Sequence, residues 1–439
     1  MRRRALLAGG LALPLAASGA VVGGKGADVL VIGAGLAGLA CAQHLQGAGR
    51  RVRVLEARQR LGGRIWTGRV AGCAVDLGAS WLHGIANNPL QRVVTRELVL
   101  PLLPSDGLGR VTIGPDGQRW SEVRTAQADA WLASLVQRAE QDGTAAQPLT
   151  ALLPPALSAD QRFTLIADVV HELGAEPGVI AADAPLGDGQ ELLGGDALLP
   201  AGLDRLVGHL ARGLDIRLAQ EVRQIQHGPQ GVRVTTASGE VHQARWLCCT
   251  VPLGVLKAGT VVFDPPLPAA KQRAIATLGV GLLDKLVLLF PRRFWDGPGW
   301  LRNDGPVPGL WSEWFDLTPV IGRPGLMGFN AADTARRLAG HSDGELVASA
   351  LAQLQRCYPQ AEIPTPSAVL RTRWGDDPFA QGSYSFPAVG STPALRGALA
   401  QRTGPLVWAG EATSTAFPAT LQGAYLSGLQ AAQQVLITP

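Results

Sequence analysis

The stretch DVLVIGAGLAGLACAQHLQGAGRRVRVLEA, residues 28–57, constrains the fold more than any other part of the chain. An apolar run, three spaced glycines, a helical apolar pattern and a second apolar run follow one another. This order predicts a strand from Asp28 to Ile32, a tight turn, a helix from about Leu36 to Gln46 and a strand from Arg51 to Leu55. Gly47 and Gly49 stop the helix. Gly33, Gly35 and Gly38 have the G-x-G-x-x-G spacing: the first permits the turn, the second lets a pyrophosphate approach the backbone, and the third lets the helix pack closely. The positive end of the helix then faces the phosphates. Glu56 ends the second strand at the spacing of a carboxylate that accepts from ribose hydroxyls. The pattern as a whole predicts an α/β fold with a Rossmann-type domain that binds a dinucleotide.

Length and composition frame that domain. The 439 residues exceed one ordinary core, and with 46% apolar and 17% charged residues the chain reads as a compact protein of two or three domains' worth of packing. The formal charge is +4, and Arg2, Arg3 and Arg4 supply three of those charges, so cleavage after Ala20 leaves 4 − 3 = +1. Without clustered Lys and Arg, neither nucleic acid nor an anionic membrane is an expected partner. MRRRALLAGGLALPLAASGA has the basic start, apolar stretch and small residues (Ser18, Ala20) of a signal peptide, and residues 1–26 are assigned to it. Arg3 and Arg4 before Ala5, Leu6 and Leu7 resemble a twin-arginine export signal. The segment is short for a bilayer span, so the mature form is expected to lack an integral membrane segment and to be periplasmic or exported; a cytoplasmic location is the alternative. Cys41, Cys73, Cys248, Cys249 and Cys357 form neither an even-numbered framework nor a metal-ligand spacing, so no metal is expected. Cys248 and Cys249, within WLCCTV, read as buried small hydrophobes.

Further segments carry a resemblance that covers about residues 27–437. EARQRLGGRIWT (56–67), DLGASWLHG (76–84) followed by Asn88-Pro89, WGDDPFAQGSYSF (374–386) and LVWAGEATSTAFPATLQGAYLSGLQAA (406–432) resemble the flavin-containing amine oxidases, in particular their polyamine oxidase and lysine-specific histone demethylase branch. The resemblance implies FAD, held by Gly62, Gly63, Arg58 and Arg64, by the Gly78-Ala79-Ser80-Trp81 segment along the isoalloxazine, by the backbone of Val222 at the adenine, and by Glu411. A helix starting near Leu421 aims its N-terminus at the flavin pyrimidine edge. Ser383 stands where monoamine oxidases carry the flavin-linking cysteine, so FAD is expected to be noncovalent. His83 falls at a substrate-contacting histidine, with a loop anchor as the other reading. Tyr384 falls at one wall of an aromatic cage whose second wall is Thr420 here, and Trp374 adds apolar surface.

GLLDKLVLLF (281–290) raises a physical question of its own. With the period of a strand, Leu283, Lys285, Val287 and Leu289 share one face and Asp284 shares the other with Leu282, Leu286, Leu288 and Phe290. Each face therefore buries one charge among apolar side chains, which is costly unless it is compensated or lies at an edge. The resemblance places Lys285 at the lysine that bonds through a water to flavin N5, with its charge accommodated by ordered water and cofactor. No role follows for Asp284.

The implied activity is hydride transfer from the carbon beside an amine nitrogen to flavin N5. The product is an imine that hydrolyses to an aldehyde or ketone, with O2 reduced to H2O2. The expected partner is a small amine, polyamine or other primary or secondary amine; Glu172, Asp183, Asp188, Glu191 and Asp196 are acids that could attract it. An L-amino acid oxidase needs an arginine for the substrate carboxylate, which the sequence does not single out. An amine dehydrogenase with another acceptor and a noncatalytic flavin scaffold also remain; the presence of Lys285 argues against the last. The expected architecture is a discontinuous FAD-binding domain (27–92, 192–272 and 375–439) and an α+β substrate-binding domain (93–191 and 273–374), with the site between them.

Overall fold

The computed structural model describes residues 26–186, 192–297 and 299–438. Residues 1–25 of the proposed signal segment, together with Asp188 and Glu191, lie outside the described residues.

The glycine-rich segment folds as its pattern requires: strand Val29–Ile32, helix Leu36–Gly47 and strand Val52–Leu55, each within one residue of expectation. The first strand is central in a five-stranded parallel sheet, ordered Leu406–Trp408, Trp246–Cys249, Val29–Ile32, Val52–Leu55, Asp215–Arg217. Both faces of this sheet are covered, which is why VLVI is apolar at every position. Val29 and Val31 pack under the helices Leu36–Gly47 and Leu421–Leu436. Leu30 and Ile32, with Leu247 and Cys249, pack against Val222, Ile225, Val232 and Val234 of a four-stranded sheet. All five cysteines are buried thiols.

The second large sheet has six strands, ordered Ala368–Arg371, Leu283–Leu289, Gly325–Ala331, Glu313–Asp316, Trp300–Asn303, Arg110–Ile113. Its two faces differ in use. Leu286, Leu288, Leu301, Trp314 and Leu326 pack against Leu346, Ala350 and Leu354, one side of the amphipathic helix Asp343–Cys357. The opposite face carries Val287, Leu289, Phe315, Met327 and Phe329, and meets Val75 and Leu77 of the segment that precedes Gly78. The strand bearing Lys285 pairs on both sides, so the lysine is no edge guard. Every strand of the five- and four-stranded sheets falls within 27–92, 192–272 or 375–439, and every strand of the six-stranded sheet falls within 93–191 or 273–374. Two small sheets bridge these segments, Gly279–Gly281 with Tyr384–Phe386, and Trp81–Leu82 with Ala197–Leu198 and Leu103–Pro104.

Candidate active site

A cavity of about 950 Å³ runs from the glycine turn of the parallel sheet to the apolar face of the six-stranded sheet. Its wall contains Gly33, Gly35, Glu56, Arg58, Gly63, Arg64, Val222, Glu411 and Leu421 from the nucleotide segments. It also contains Gly78, Ala79, Ser80, Trp81, His83, Lys285, Trp374, Tyr384 and Thr420. Gly38 is not in this wall; it sits behind it, where a Cβ would fall 2.0 Å from the Gly33 carbonyl oxygen. The structure thus assigns Gly38 the packing role that its spacing implies.

The nucleotide end has the chemistry of an anion receptor. Arg58 donates to Asp377 through Nη1 at 2.7 Å, while its Nη2 and the Nη2 of Arg396, another wall residue, are buried without a hydrogen-bond partner. Such orphaned donors are costly unless an acceptor arrives, as a pyrophosphate would. Gly410 has φ +133°, and a Cβ there would meet nothing within 4 Å, so backbone lies open to a ligand. Glu56 accepts from the N–H groups of Ala34 (2.7 Å) and Arg58 (2.9 Å), which fixes it across the glycine turn. These residues fit a dinucleotide. Glu411, in the cavity wall, is held by the protein: its carboxylate accepts from Arg64 Nη1 (2.8 Å), Ser385 Oγ (2.6 Å) and Ala419 N (3.0 Å). Burial pushes that carboxyl up, but Arg64, Ser385 and Arg396 outweigh burial and hold it below its ordinary range. It locks the wall by tying three chain segments together.

Lys285 is buried in the cavity wall. Its Nζ donates to Gly78 O (2.6 Å), Ser80 Oγ (2.6 Å) and Asp76 O (3.3 Å), and lies 5.6 Å from the centre of the Trp81 ring. The protein itself therefore supplies three acceptors, whereas the sequence reading had assigned the compensation to water and cofactor. Burial lowers the lysine pKa to about 7 against the opposing field of Asp76, and burial raises Asp76 to about 6 against its bond from Thr67.

Asp284, without a role in the sequence, proves to be a hub. Its Oδ1 accepts from Thr372 Oγ1 (2.7 Å) and Trp374 N (2.8 Å), and Thr372 Oγ1 accepts from Lys285 N (2.8 Å). One carboxylate thereby fixes the backbone of Lys285 and the start of the segment that carries Trp374 into the cavity wall. Asp284→Ala leaves these donors unsatisfied, and we expect a loss of roughly 1–3 kcal/mol in denaturant unfolding with a lower turnover. Asp284→Asn, which retains an acceptor oxygen, should recover most of both; equal behaviour of the two variants would show that the hub has no directional role.

Past Lys285 the cavity meets a cluster that the sequence reading missed. Arg302 and Glu313 face each other on neighbouring strands, Glu313 is opposite Phe329, and Phe329 is opposite Lys285. Arg302 Nη2 donates to Asp168 at 2.8 Å, and its Nε lies 2.6 Å from Glu313 Oε1, close enough for an ion pair though not aligned as a hydrogen bond. Glu313 Oε2 lies 2.5 Å from His171 Nδ1. Burial works against charge on both Arg302 and Glu313. It is outweighed by mutual attraction, with Asp168 aiding the arginine and His171 the glutamate. Arg302 is thus held above its ordinary range and Glu313 below it. Asp168 lies in a single π-helical turn, Ile166–Val170, which brings it and His171 to the cavity. No short motif joins these residues, since they come from two strands and a helical turn.

The comparison with known proteins follows this geometry. The model of the flavin containing amine oxidoreductase family matches residues 36–119 and 117–436. The chain belongs to the flavin-containing amine oxidoreductases. This oxidoreductase is 36% identical over 442 residues to polyamine oxidase 2 of Arabidopsis thaliana, covering 92% of this chain and 87% of that protein. It is 35% identical over 446 residues to lysine-specific histone demethylase 1 homolog 1 of Oryza sativa subsp. japonica, covering 93% of this chain but 52% of that protein. The chain thus spans about half the length of the demethylase relative. A structure of wild-type putrescine oxidase bound to putrescine has a TM-score of 0.76 at 23% identity, covering 94% of this chain and 99% of that one, a likeness of fold. The family and fold expected from the sequence are therefore found.

Within the oxidoreductase, the remaining site residues are placed as follows. His83 Nδ1 lies 2.7 Å from Asp196 Oδ2, so the acid expected to attract substrate is engaged with the histidine. Glu172 also lines the cavity, whereas Asp183 is exposed and is not in its wall. Thr420 is the N-cap of the helix Leu421–Leu436; its Oγ1 accepts from Gly423 N (3.0 Å) and donates to Phe417 O (3.0 Å). Its hydroxyl is thus a helix cap before it is a cage wall. Tyr384 donates through its hydroxyl to His171 O at 3.0 Å, and burial, then Glu172, raises its pKa well above the ordinary value. Aromatic surface comes instead from Trp81, stacked on Trp300 at 5.7 Å, and from Phe329 and Trp374. Arg302, on the six-stranded sheet side of the cavity wall, is already paired with two carboxylates. Among the described residues, no group of His, Cys, Asp and Glu has the arrangement of a metal site, and no helix is long and apolar enough to cross a membrane.

Proposed function

We propose that this oxidoreductase binds FAD noncovalently and oxidises a polyamine or another primary or secondary amine, with O2 reduced to H2O2. When bound, the flavin supplies a two-electron acceptor for the hydride that leaves the carbon beside an unprotonated nitrogen, and the resulting imine hydrolyses to an aldehyde or ketone.

The carrying observation is a cavity that joins the glycine turn, the buried Lys285 and the acidic cluster in one space. In this reading Gly33, Gly35, Glu56, Arg58, Gly63 and Arg64 receive the nucleotide, and the Val222 backbone borders the adenine. Gly78 to Trp81 with Lys285 border the flavin ring. Lys285 acts at the reacting end, while Trp374, Tyr384, Thr420 and His83 shape the substrate space. The aromatic wall excludes water, and that favours the neutral amine, because desolvation lowers an ammonium pKa. Ser383 supports noncovalent binding: its hydroxyl donates to Leu283 O (3.0 Å) and accepts from Leu283 N (2.9 Å), a strand-to-strand clasp in place of a thiol. The proposed division into cofactor and substrate domains draws support from the separate strand membership of the two large sheets. Export with the cofactor loaded remains part of the proposal, motivated by Arg3 and Arg4.

Arg302 weighs against an amino acid substrate, because its guanidinium is already consumed by Asp168 and Glu313. The test is a peroxide assay over spermidine, putrescine, monoamines and L-amino acids, repeated with a dye acceptor. We expect bleaching of the yellow protein and peroxide with amines only. Turnover confined to L-amino acids would replace the reading, and turnover confined to the dye would make the protein a dehydrogenase.

A further inference from the structure

We infer that Arg396, which no sequence motif singles out, is a direct contact of the cofactor pyrophosphate, an assignment that rests on the FAD reading above. The helix Pro393–Ala400 buries two side chains, Arg396 and Leu399, three residues apart and so on one face. Leu399 packs with Ala274, Leu278 and Ala412, which docks the helix on the turn that carries Glu411. Its C-terminal end is pinned from the helix Ala269–Thr277, where Lys271 Nζ donates to Ala398 O (3.1 Å), Leu399 O (2.5 Å) and Gln401 O (2.8 Å). Arg396 thus reaches the cavity wall from a fixed support, and it is only 5% exposed. Its Nη1 donates to Ser385 Oγ (2.7 Å) and Ala412 O (3.2 Å). The guanidinium is planar, so these bonds set the direction of Nη2 in advance. That nitrogen is buried and has no hydrogen-bond partner.

Charge identifies the acceptor. Ser385 Oγ donates on to Glu411, whose other oxygen accepts from Arg64, so two guanidiniums share one carboxylate. Burial lowers the Arg396 pKa, and the opposing field of Glu411 does not outweigh it. Arg58 also has an idle Nη2, but its charge is answered by Asp377. The excess therefore sits at Arg396, which combines an unmet donor with an unmet positive charge. An anionic oxygen removes both costs at once. In a dinucleotide such oxygens belong to the pyrophosphate, whereas sugar hydroxyls are neutral. The flavin-free protein bears the cost and the loaded protein does not, so this residue couples stability to cofactor binding.

The test uses Arg396→Lys, which keeps the charge but lacks Nη2, and Arg396→Met, which removes both. Affinity is read from the fluorescence of FAD released on dilution of the loaded protein, and unfolding is followed with loaded and flavin-stripped protein. We expect Arg396→Met to bind FAD roughly tenfold or more weakly, and Arg396→Lys to lose less. The stabilisation by saturating FAD should shrink in step with affinity. With FAD in excess, phosphorus NMR should show a displaced pyrophosphate resonance in both variants. Wild-type affinity, with equal destabilisation of loaded and stripped protein, overturns the contact and leaves Arg396 a packing residue. Weaker binding with unchanged phosphorus resonances overturns the pyrophosphate as its acceptor. If Arg396→Met fails to fold, Arg396→Lys supplies every readout. A wild type that takes up no FAD overturns the flavin reading itself, and the contact with it.

Discussion

Replacing Lys285 by methionine is expected to slow amine oxidation on the order of 10²-fold while the protein stays yellow. Methionine keeps the length and apolar stem of lysine but removes the ammonium that joins Gly78 O, Ser80 Oγ and Asp76 O. The cradle around Gly33, Glu56 and Arg58 is remote from this change, so cofactor content should hold. Stopped-flow traces for reduction by amine and for reoxidation by O2 decide the matter; wild-type rates in both would remove Lys285 from the chemistry. The same variant has a stability signature with a definite sign. The lysine loses its proton near pH 7 when folded but near 10.5 when unfolded, so between these values the unfolded chain binds more protons. Wild-type stability therefore rises with pH across that window, and below about 7 the cost of burying the charge is fully present. Lys285→Met lacks this slope. The stability of the variant minus that of wild type in denaturant unfolding should be highest below pH 7 and fall toward 10.5.

Gly38→Val is expected to abolish flavin retention. A Cβ at this position lies 2.0 Å from Gly33 O and 3.2 Å from Val31 Cγ1, and the nearest obstacle is backbone that no rotamer change can clear. Relief requires the helix Leu36–Gly47 to move off the strand or the glycine turn to open. Either displaces the N–H groups and Glu56, which spans that turn through Ala34 N. Overpacking of this kind costs roughly 1–3 kcal/mol or more. The ratio of visible flavin absorbance to protein absorbance in purified material reads the effect. Gly208→Ala is the control: this glycine lies in the helix Asp204–Leu210 with nothing within 4 Å of an added Cβ, and flavin content should not change. A Gly38→Val protein with full flavin content would show that the turn tolerates a displaced helix.

The nucleotide end was legible because its determinants are contiguous. Turn, helix, strand and acid occupy thirty residues, and each has a local conformational reason that a sequence displays. The charged pair in GLLDKLVLLF was visible as an anomaly, but its resolution was not. Lys285 is satisfied by carbonyls some two hundred residues away, and Asp284 by the backbone at Trp374. Thr420 was read as a wall residue because its position in a motif is easier to see than its cap geometry. The cluster of Arg302, Glu313, Asp168 and His171 left no sequence signal, since the register of an antiparallel sheet is set by tertiary packing and only register aligns those side chains.

The closing of the parallel sheet has a consequence for the order of events on the ribosome. The glycine turn emerges well before the segments that complete it: its sheet is closed on one side by Leu406–Trp408, and its helix is packed against Leu421–Leu436. Gly428 meets that helix so closely that a Cβ would lie 2.2 Å from Ala37 O. The cradle therefore waits for Leu421–Leu436 to be synthesised, and during that interval the apolar face of Leu36–Gly47 lacks its partner. A product cut short before residue 421 should be found in the aggregated or degraded fraction rather than as an apoprotein.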